Sequence, residues 1–313
     1  MKMDNKCRII TALSKDGGFR LLLLNSTAAV ERMREIHHTS KTMTAALGRS
    51  ITACAIMGKM LKEENASVTL RIDGGGPAGK IVCVADCNGN VRGCCDNPDV
   101  ELEPNAQGKL DVGGAVGNSG SIYVVKDLGF GEPYVGFSKI VSGEIAEDIT
   151  EYYSVSEQTP SVCGLGVRVF PDGRCKGAGG FILQLMPGAD ERIVPILQAN
   201  LDYMPSLSQL IADGKSLEEI AEMIFGLVEY SILEESEMEY RCACGKEKYA
   251  KALVSLGCDE LRDMCSEGKP IEIVCQFCET HYEFDTAELE KLLELAEERA
   301  RAAEEAAAAA ERE

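Results

Sequence analysis

Apolar residues change their spacing several times along this chain, and each change predicts a different kind of element. From Asn25 to about Leu61 a polar start (Asn25, Ser26, Thr27) leads into Val30, Met33, Ile36, Ala45 and Ile51 among polar positions. Few glycines interrupt it, and the texture predicts one long helix or two abutting ones. From Ser67 the pattern shortens to Val68–Ile72, Ile81–Val84 and Ser121–Val125, separated by Gly, Asn, Asp and Pro, which predicts strands and hairpins. Gly166–Phe170 and Phe181–Leu185 add two strands around the turn Pro171-Asp172-Gly173, and Pro187-Gly188 closes the pattern. A β-rich core with packed helices is therefore expected over residues 1–188.

Residues 189–240 read as a helical, acidic linker. Ser216 and Glu219 have the spacing of a capping box, and Leu217, Ile220, Ile224 and Leu227 recur on one helical stripe. Such a stripe fits a helix packed permanently on the core, and equally a linker able to leave that surface. Residues 241–288 are turn-rich and too few to build a large core alone, so they need a staple. Beyond them Leu289, Leu292, Leu293 and Ala296 predict a last helix, which loses its apolar bulk in an Ala/Glu-rich tail over 289–313. The class expected is α+β.

The charge count, 51 acidic against 32 basic residues for a net −19, argues against nucleic acid and against an anionic membrane surface, since both call for clustered Lys and Arg. No apolar run approaches the eighteen or so residues of a membrane span. The four leucines Leu21–Leu24 are too short for a signal segment, so a cytoplasmic location is expected. Thiols are kept reduced there, so clustered cysteines point to a metal site or a redox switch before permanent bridges.

Six of the fourteen cysteines fall in the short C-terminal segment. Cys242-Ala243-Cys244, thirty residues, and Cys275-Gln276-Phe277-Cys278 form two close pairs. Folding of the intervening segment would bring four thiolates to tetrahedral corners, the closed environment of structural zinc. The first arm has one residue between its cysteines where common ribbons have two, and so also fits a pair poised to close on itself. Four buried thiols without metal is the competing reading. Arg241, Lys246 and Lys248 add positive potential beside the arm. His281 is a conceivable ligand, but four cysteines already complete a shell. Cys258 and Cys265 read as small hydrophobes. Cys7, Cys54, Cys83, Cys87, Cys94, Cys95, Cys163 and Cys175 read as reduced core thiols, with a second site among Cys83, Cys87, Cys94 and Cys95 as the alternative.

Other motifs carry less. Gly74-Gly75-Gly76-Pro77-Ala78-Gly79-Lys80 imitates a phosphate-binding loop, but Ile81 stands where Ser or Thr is needed, and a strand follows where the motif requires a helix. Asp73–Gly76 reads as a hairpin turn. His37 and His38 have no nucleophile or carboxylate constellation, no hydrolytic signature stands out, and no catalytic residue is assigned.

Ser156-Glu157-Gln158-Thr159-Pro160, Gly177-Ala178-Gly179-Gly180 running on to Pro187, Thr44–Arg49 and Cys275–Phe284 together resemble the 33-kilodalton heat-shock protein family of redox-regulated holdase chaperones, over roughly residues 5 to 290. The tail after about residue 290 departs from it. The resemblance implies one zinc on Cys242, Cys244, Cys275 and Cys278. It further implies that oxidants close Cys242–Cys244 and Cys275–Cys278 disulfides and eject the metal. It then implies linker release, capture of unfolding client proteins without ATP, and a homodimer in the activated state. Two rivals come from other classes. A thiol-disulfide oxidoreductase carries its Cys-x-x-Cys at a helix N-terminus in a βαβ setting, which Cys275 lacks. A constitutive zinc-ribbon adaptor would need no oxidation.

Overall fold

The computed structural model describes residues 7–310, with side chains placed through residue 302. The chain divides into two compact units, Met1–Arg241 and Cys242–Glu313.

The first unit opens with β1 (Cys7–Ser14), β2 (Phe19–Asn25), α1 (Thr27–His37) and α2 (Lys41–Lys59). There follow β3 (Ser67–Asp73), β4 (Ile81–Asp86), β5 (Val91–Cys95), α3 (Val112–Val116), β6 (Ser121–Asp127) and β7 (Tyr134–Lys139). Then come α4 (Ala146–Val155), β8 (Ser161–Val169), β9 (Cys175–Leu185), α5 (Val194–Tyr203), α6 (Leu207–Ala212), α7 (Leu217–Phe225) and β10 (Tyr230–Met238). The strands form two antiparallel five-stranded sheets, ordered β10-β1-β2-β9-β8 and β5-β4-β3-β6-β7. The predicted helical region is thus two abutting helices, broken at His38, whose φ of 49° caps α1. Apart from Arg49, every α2 residue from Thr42 to Gly58 is buried, which is how a helix apolar on all sides behaves when elements cover it all round.

The Leu21–Leu24 run gains its meaning here. A central strand covered on both faces reads as an unbroken apolar run. Leu22 and Leu24 face the cluster built on α2, whereas Leu21 and Leu23 enter a second cluster on the opposite side of β2. That second cluster joins Ile10, Phe19, Phe181 and Leu183 to Leu197, Leu210, Leu217, Ile220, Ile224 and Phe225, so α5, α6 and α7 cover the outer face of the first sheet.

Locally, α7 forms because the capping box is made. Ser216 Oγ accepts the Glu219 N–H at 3.1 Å and the Glu219 carboxylate accepts the Ser216 N–H at 2.8 Å. Leu217, Ile220 and Ile224 are buried as the stripe predicts, but Leu227 is 96% exposed because Gly226, at φ 59°, has already ended the helix. Glycines fix the approach of α6. A Cβ at Gly177 would lie 2.7 Å from the Ser208 carbonyl oxygen, and one at Gly179 2.3 Å from Ile211 Cδ1.

The segment 189–240 is not helical throughout. Its last strand, β10, pairs with the edge of β1 from Ser14↔Tyr230 to Cys7↔Met238. Glu234, Glu235 and Glu237 give this stretch no apolar period, and it is held by ladder hydrogen bonds to an open edge rather than by burial. The glycine loop at 74–80 joins antiparallel β3 and β4, and Ile81 begins a strand, so it is a hairpin connection. His37 is buried with Nε2 3.2 Å from the Tyr240 hydroxyl, a structural contact.

The second unit contains α8 (Lys246–Leu256), α9 (Cys258–Ser266), the hairpin β11 (Ile271–Val274) and β12 (His281–Phe284), and α10 (Thr286–Ala310). Its core is small: Leu253, Val254, Leu261, Phe284, Leu289 and Ala296, with Cys258 and Cys265 packed at its margin. The alanine-rich end is helical in backbone to Ala310, and residues 311–313 lie outside the described residues.

Candidate metal centre

Two short segments of the second unit supply the site. Cys242 and Cys244 sit in the strand-free stretch before α8. Cys275 and Cys278 lie in the tight connection of the β11–β12 hairpin, where the Val274↔His281 pair ends the ladder and the Cys275 N–H donates to the Thr280 carbonyl at 3.0 Å. Inside that turn the Cys278 and Glu279 N–H groups fold back on the Cys275 carbonyl at 3.3 and 2.8 Å, with Glu279 left-handed at φ 55°. The hairpin thereby presents both sulfurs to one side.

All four sulfurs lie within 4.8 Å of one another, and among the described residues no other group of three or more His, Cys, Asp or Glu side chains has a metal-binding arrangement. Cys242 Sγ is 3.7 Å from Cys275 Sγ, and Cys244 Sγ is 3.3 Å from Cys278 Sγ. Four sulfurs held tetrahedrally at about 2.3 Å from zinc stand about 3.8 Å apart, so the donor set fits a closed tetrahedral site with little movement.

The electrostatics agree. Burial would raise the Cys275 thiol, but hydrogen bonds from the Tyr249 hydroxyl and from the Phe277 and Cys278 N–H groups outweigh it and bring it down to about 6. Cys242 and Cys244 are raised, first by burial; the Cys275 and Cys278 sulfurs add to it, and at Cys244 the Tyr282 hydroxyl and the Cys242 sulfur oppose it. Four thiols this close cannot all ionise side by side without a cation between them.

The remaining candidates separate from the cluster. His281 turns away, with Nδ1 2.9 Å from Glu272 Oε1. Lys246 is engaged by Glu288 at 2.5 Å and lies 5.0 Å over the Phe284 ring, and Lys248 donates to the Ala243 carbonyl between the two arm cysteines. Cys83, Cys87, Cys94 and Cys95 form no second metal group. Three residues escaped the sequence reading. Tyr282 Oη is 3.0 Å from Cys244 Sγ, Thr280 Oγ1 is 3.2 Å from Cys278 Sγ, and the Tyr249 hydroxyl reaches Cys275. Tyr282 and Thr280 were in plain view beside the second arm, but nothing in spacing says that a hydroxyl aims at sulfur.

Residues 8–285 match the family model of the Hsp33 protein. The chain belongs to the Hsp33 family. The 33 kDa chaperonin of Clostridium tetani (strain Massachusetts / E88) is 46% identical over 288 residues, covering 92% of this chain and 98% of the relative. That of Clostridium novyi (strain NT) is 44% identical over 286 residues, covering 91% and 97%. The crystal structure of the 33 kDa chaperonin (heat shock protein 33 homolog) from Thermotoga maritima superposes with a TM-score of 0.83 at 38% identity, covering 92% of this chain and 98% of that one. The α+β architecture with its C-terminal cysteine cluster is thus an Hsp33 architecture.

Proposed function

We propose that this protein is an ATP-independent holdase chaperone, kept inactive by a zinc-bound thiolate centre and activated when oxidants convert that centre to disulfides. The observation that carries the reading is the convergence of four cysteine sulfurs in a unit whose own apolar core, among the described residues, is six buried side chains. Zinc held by Cys242, Cys244, Cys275 and Cys278 supplies the charge that keeps all four deprotonated and the staple that so small a unit needs, a contribution of about 10 kcal/mol or more in zinc-finger peptides. A thiolate attacks peroxide, forming an S–O bond as the O–O bond breaks and hydroxide leaves; the resulting sulfenic acid is then attacked by a neighbouring thiolate, which displaces a second hydroxide and closes the disulfide. Closure of Cys242–Cys244 and Cys275–Cys278 removes four thiolates, four electrons in all, and with them every ligand of the metal. The unit then unfolds.

Loss of that unit frees the linker over 189–240. The surface exposed by its departure is Ile10, Phe19, Leu21, Leu23, Phe181 and Leu183, together with the apolar stripe of α7, and it offers unfolding client proteins a contiguous apolar face. Activated chains pair as homodimers. The cytoplasm is the compartment in which disulfide formation carries information, because thiols there are otherwise reduced. The net charge of −19 keeps a client-loaded chain soluble and gives neither nucleic acid nor an anionic membrane a foothold.

The test is suppression of aggregation of a heat-unfolding client without ATP, before and after peroxide at elevated temperature, with zinc release followed in parallel. Protection is expected only after oxidation and in step with zinc release. Equal protection by the reduced, zinc-loaded form would overturn the switch and favour a constitutive adaptor, and turnover of a disulfide substrate would favour an oxidoreductase.

A further inference from the structure

The four sulfurs are ringed by hydroxyls from three separate places: Tyr282 on β12, Tyr249 on α8 and Thr280 in the hairpin connection. Packing does not require these oxygens. The Tyr249 and Tyr282 rings lie 5.0 Å apart at the edge of the apolar core, a contact that two phenylalanines would make equally well. Yet each hydroxyl ends on a sulfur. By contrast, Cys242 receives the backbone N–H of Cys244.

We propose that the hydroxyls of Tyr282 and Thr280, each within hydrogen-bond distance of a cysteine sulfur, set the reactivity of the thiolate centre, and so the oxidant level at which it opens, while that of Tyr249 acts on the charge of buried Cys275. This rests on the redox-switch reading above and adds its regulation. A thiolate that accepts an O–H bond has part of its lone-pair density withdrawn, so it is less basic and a poorer nucleophile. Cys275 is nearly inaccessible at 1% exposure, so Tyr249 acts mainly on the charge the sulfur carries. Cys244 is half-buried and open to an incoming oxidant, so Tyr282 stands at the sulfur where attack can occur. When sulfur attacks peroxide its lone pair forms the S–O bond as the O–O bond breaks and hydroxide leaves, and that lone pair is the one the phenol engages. A hydroxyl donor lowers thiolate basicity by roughly ten- to a hundredfold, which a Brønsted slope of about 0.45 converts to roughly three- to eightfold in rate.

The experiment compares the full-length zinc-loaded protein with Tyr282→Phe, Tyr249→Phe and Thr280→Val. Zinc release is timed with a chromogenic chelator under hydrogen peroxide and, separately, iodoacetamide, and the sulfur-to-cobalt charge-transfer band is recorded on cobalt-loaded samples. Tyr282→Phe is expected to release zinc about three- to eightfold faster with both reagents and to move the band to lower energy. Tyr249→Phe should move the band with little change in rate. Should Tyr282→Phe fail to hold metal, Thr280→Val carries the same expectation at Cys278. Wild-type rates and an unmoved band in the metal-loaded variants would overturn the proposal. Absence of a charge-transfer band in the wild type would instead defeat the metal reading and this proposal with it. Faster release without any gain of client protection on oxidation would leave the tuning standing and defeat the holdase reading.

Discussion

Burial holds the core thiols up, Cys7 to about 11 and Cys54 and Cys175 to about 12, so at neutral pH they stay protonated and poorly nucleophilic. Mass spectrometry of natively oxidised protein should therefore find these three still reduced while Cys242, Cys244, Cys275 and Cys278 are not. Cys275→Ser removes one of the four sulfurs of the candidate metal site. Metal content is expected to fall from one zinc to none, and the second unit to lose its cooperative melt, while residues 7–188 of the first unit stay folded. Glu31 carries a different kind of charge. Its carboxylate accepts the Cys175 N–H at 2.7 Å and pairs with Arg34 at 2.7 Å, and although burial acts to raise it, these bonds hold it below the usual carboxylate range. Because the folded-state value is the lower one, this stabilisation is present above about pH 4.3 and is lost as pH falls through the folded value. Glu31→Gln should thus cost about 1–2 kcal/mol at pH 7, and its melting curve should converge on the wild type's as acid protonates Glu31. The convergence of the cysteine arms was legible because a tetrahedral thiolate site demands a residue type and a spacing. The hydroxyls beside them were not, because Tyr and Thr have no such restricted use.

Elements built on a period could be read from the chain, and elements built on pairing could not. The α7 stripe was legible because the capping box fixes its first turn, but its end was not, since Gly226 halts the helix one residue before Leu227. The Leu21–Leu24 run was too short for a signal segment and yet showed no strand alternation, because a strand covered on both faces loses it. β10 was hidden for the opposite reason, its glutamates having no buried face to mark a strand. Ile224 is fully buried between α7 and the first sheet. Ile224→Ala should weaken that docking by about 2–5 kcal/mol. The expected result is increased binding of an apolar dye and partial client protection before any oxidant is added, measured with zinc content unchanged. Full dependence on oxidant in this variant would mean that docking of α7 does not limit activation.

At the scale of the molecule, a large unit with two cores is joined to a small one on which four cysteine sulfurs converge. Hydrogen exchange after oxidation should lose protection across the second unit, then across 194–225 and 230–238, while β3, β4 and β6 remain protected. The alternating burial of the second sheet was visible in the sequence, but the layering of α5, α6 and α7 on the first was not, because no local pattern tells which face a stripe covers. The decisive measurement counts zinc, free thiols and client protection in the same aliquots through a peroxide titration of the native protein. One zinc and four of the fourteen thiols should be lost together per chain, with protection rising in proportion. Protection at full zinc and fourteen thiols, or loss of thiols with the metal still bound, would contradict the switch.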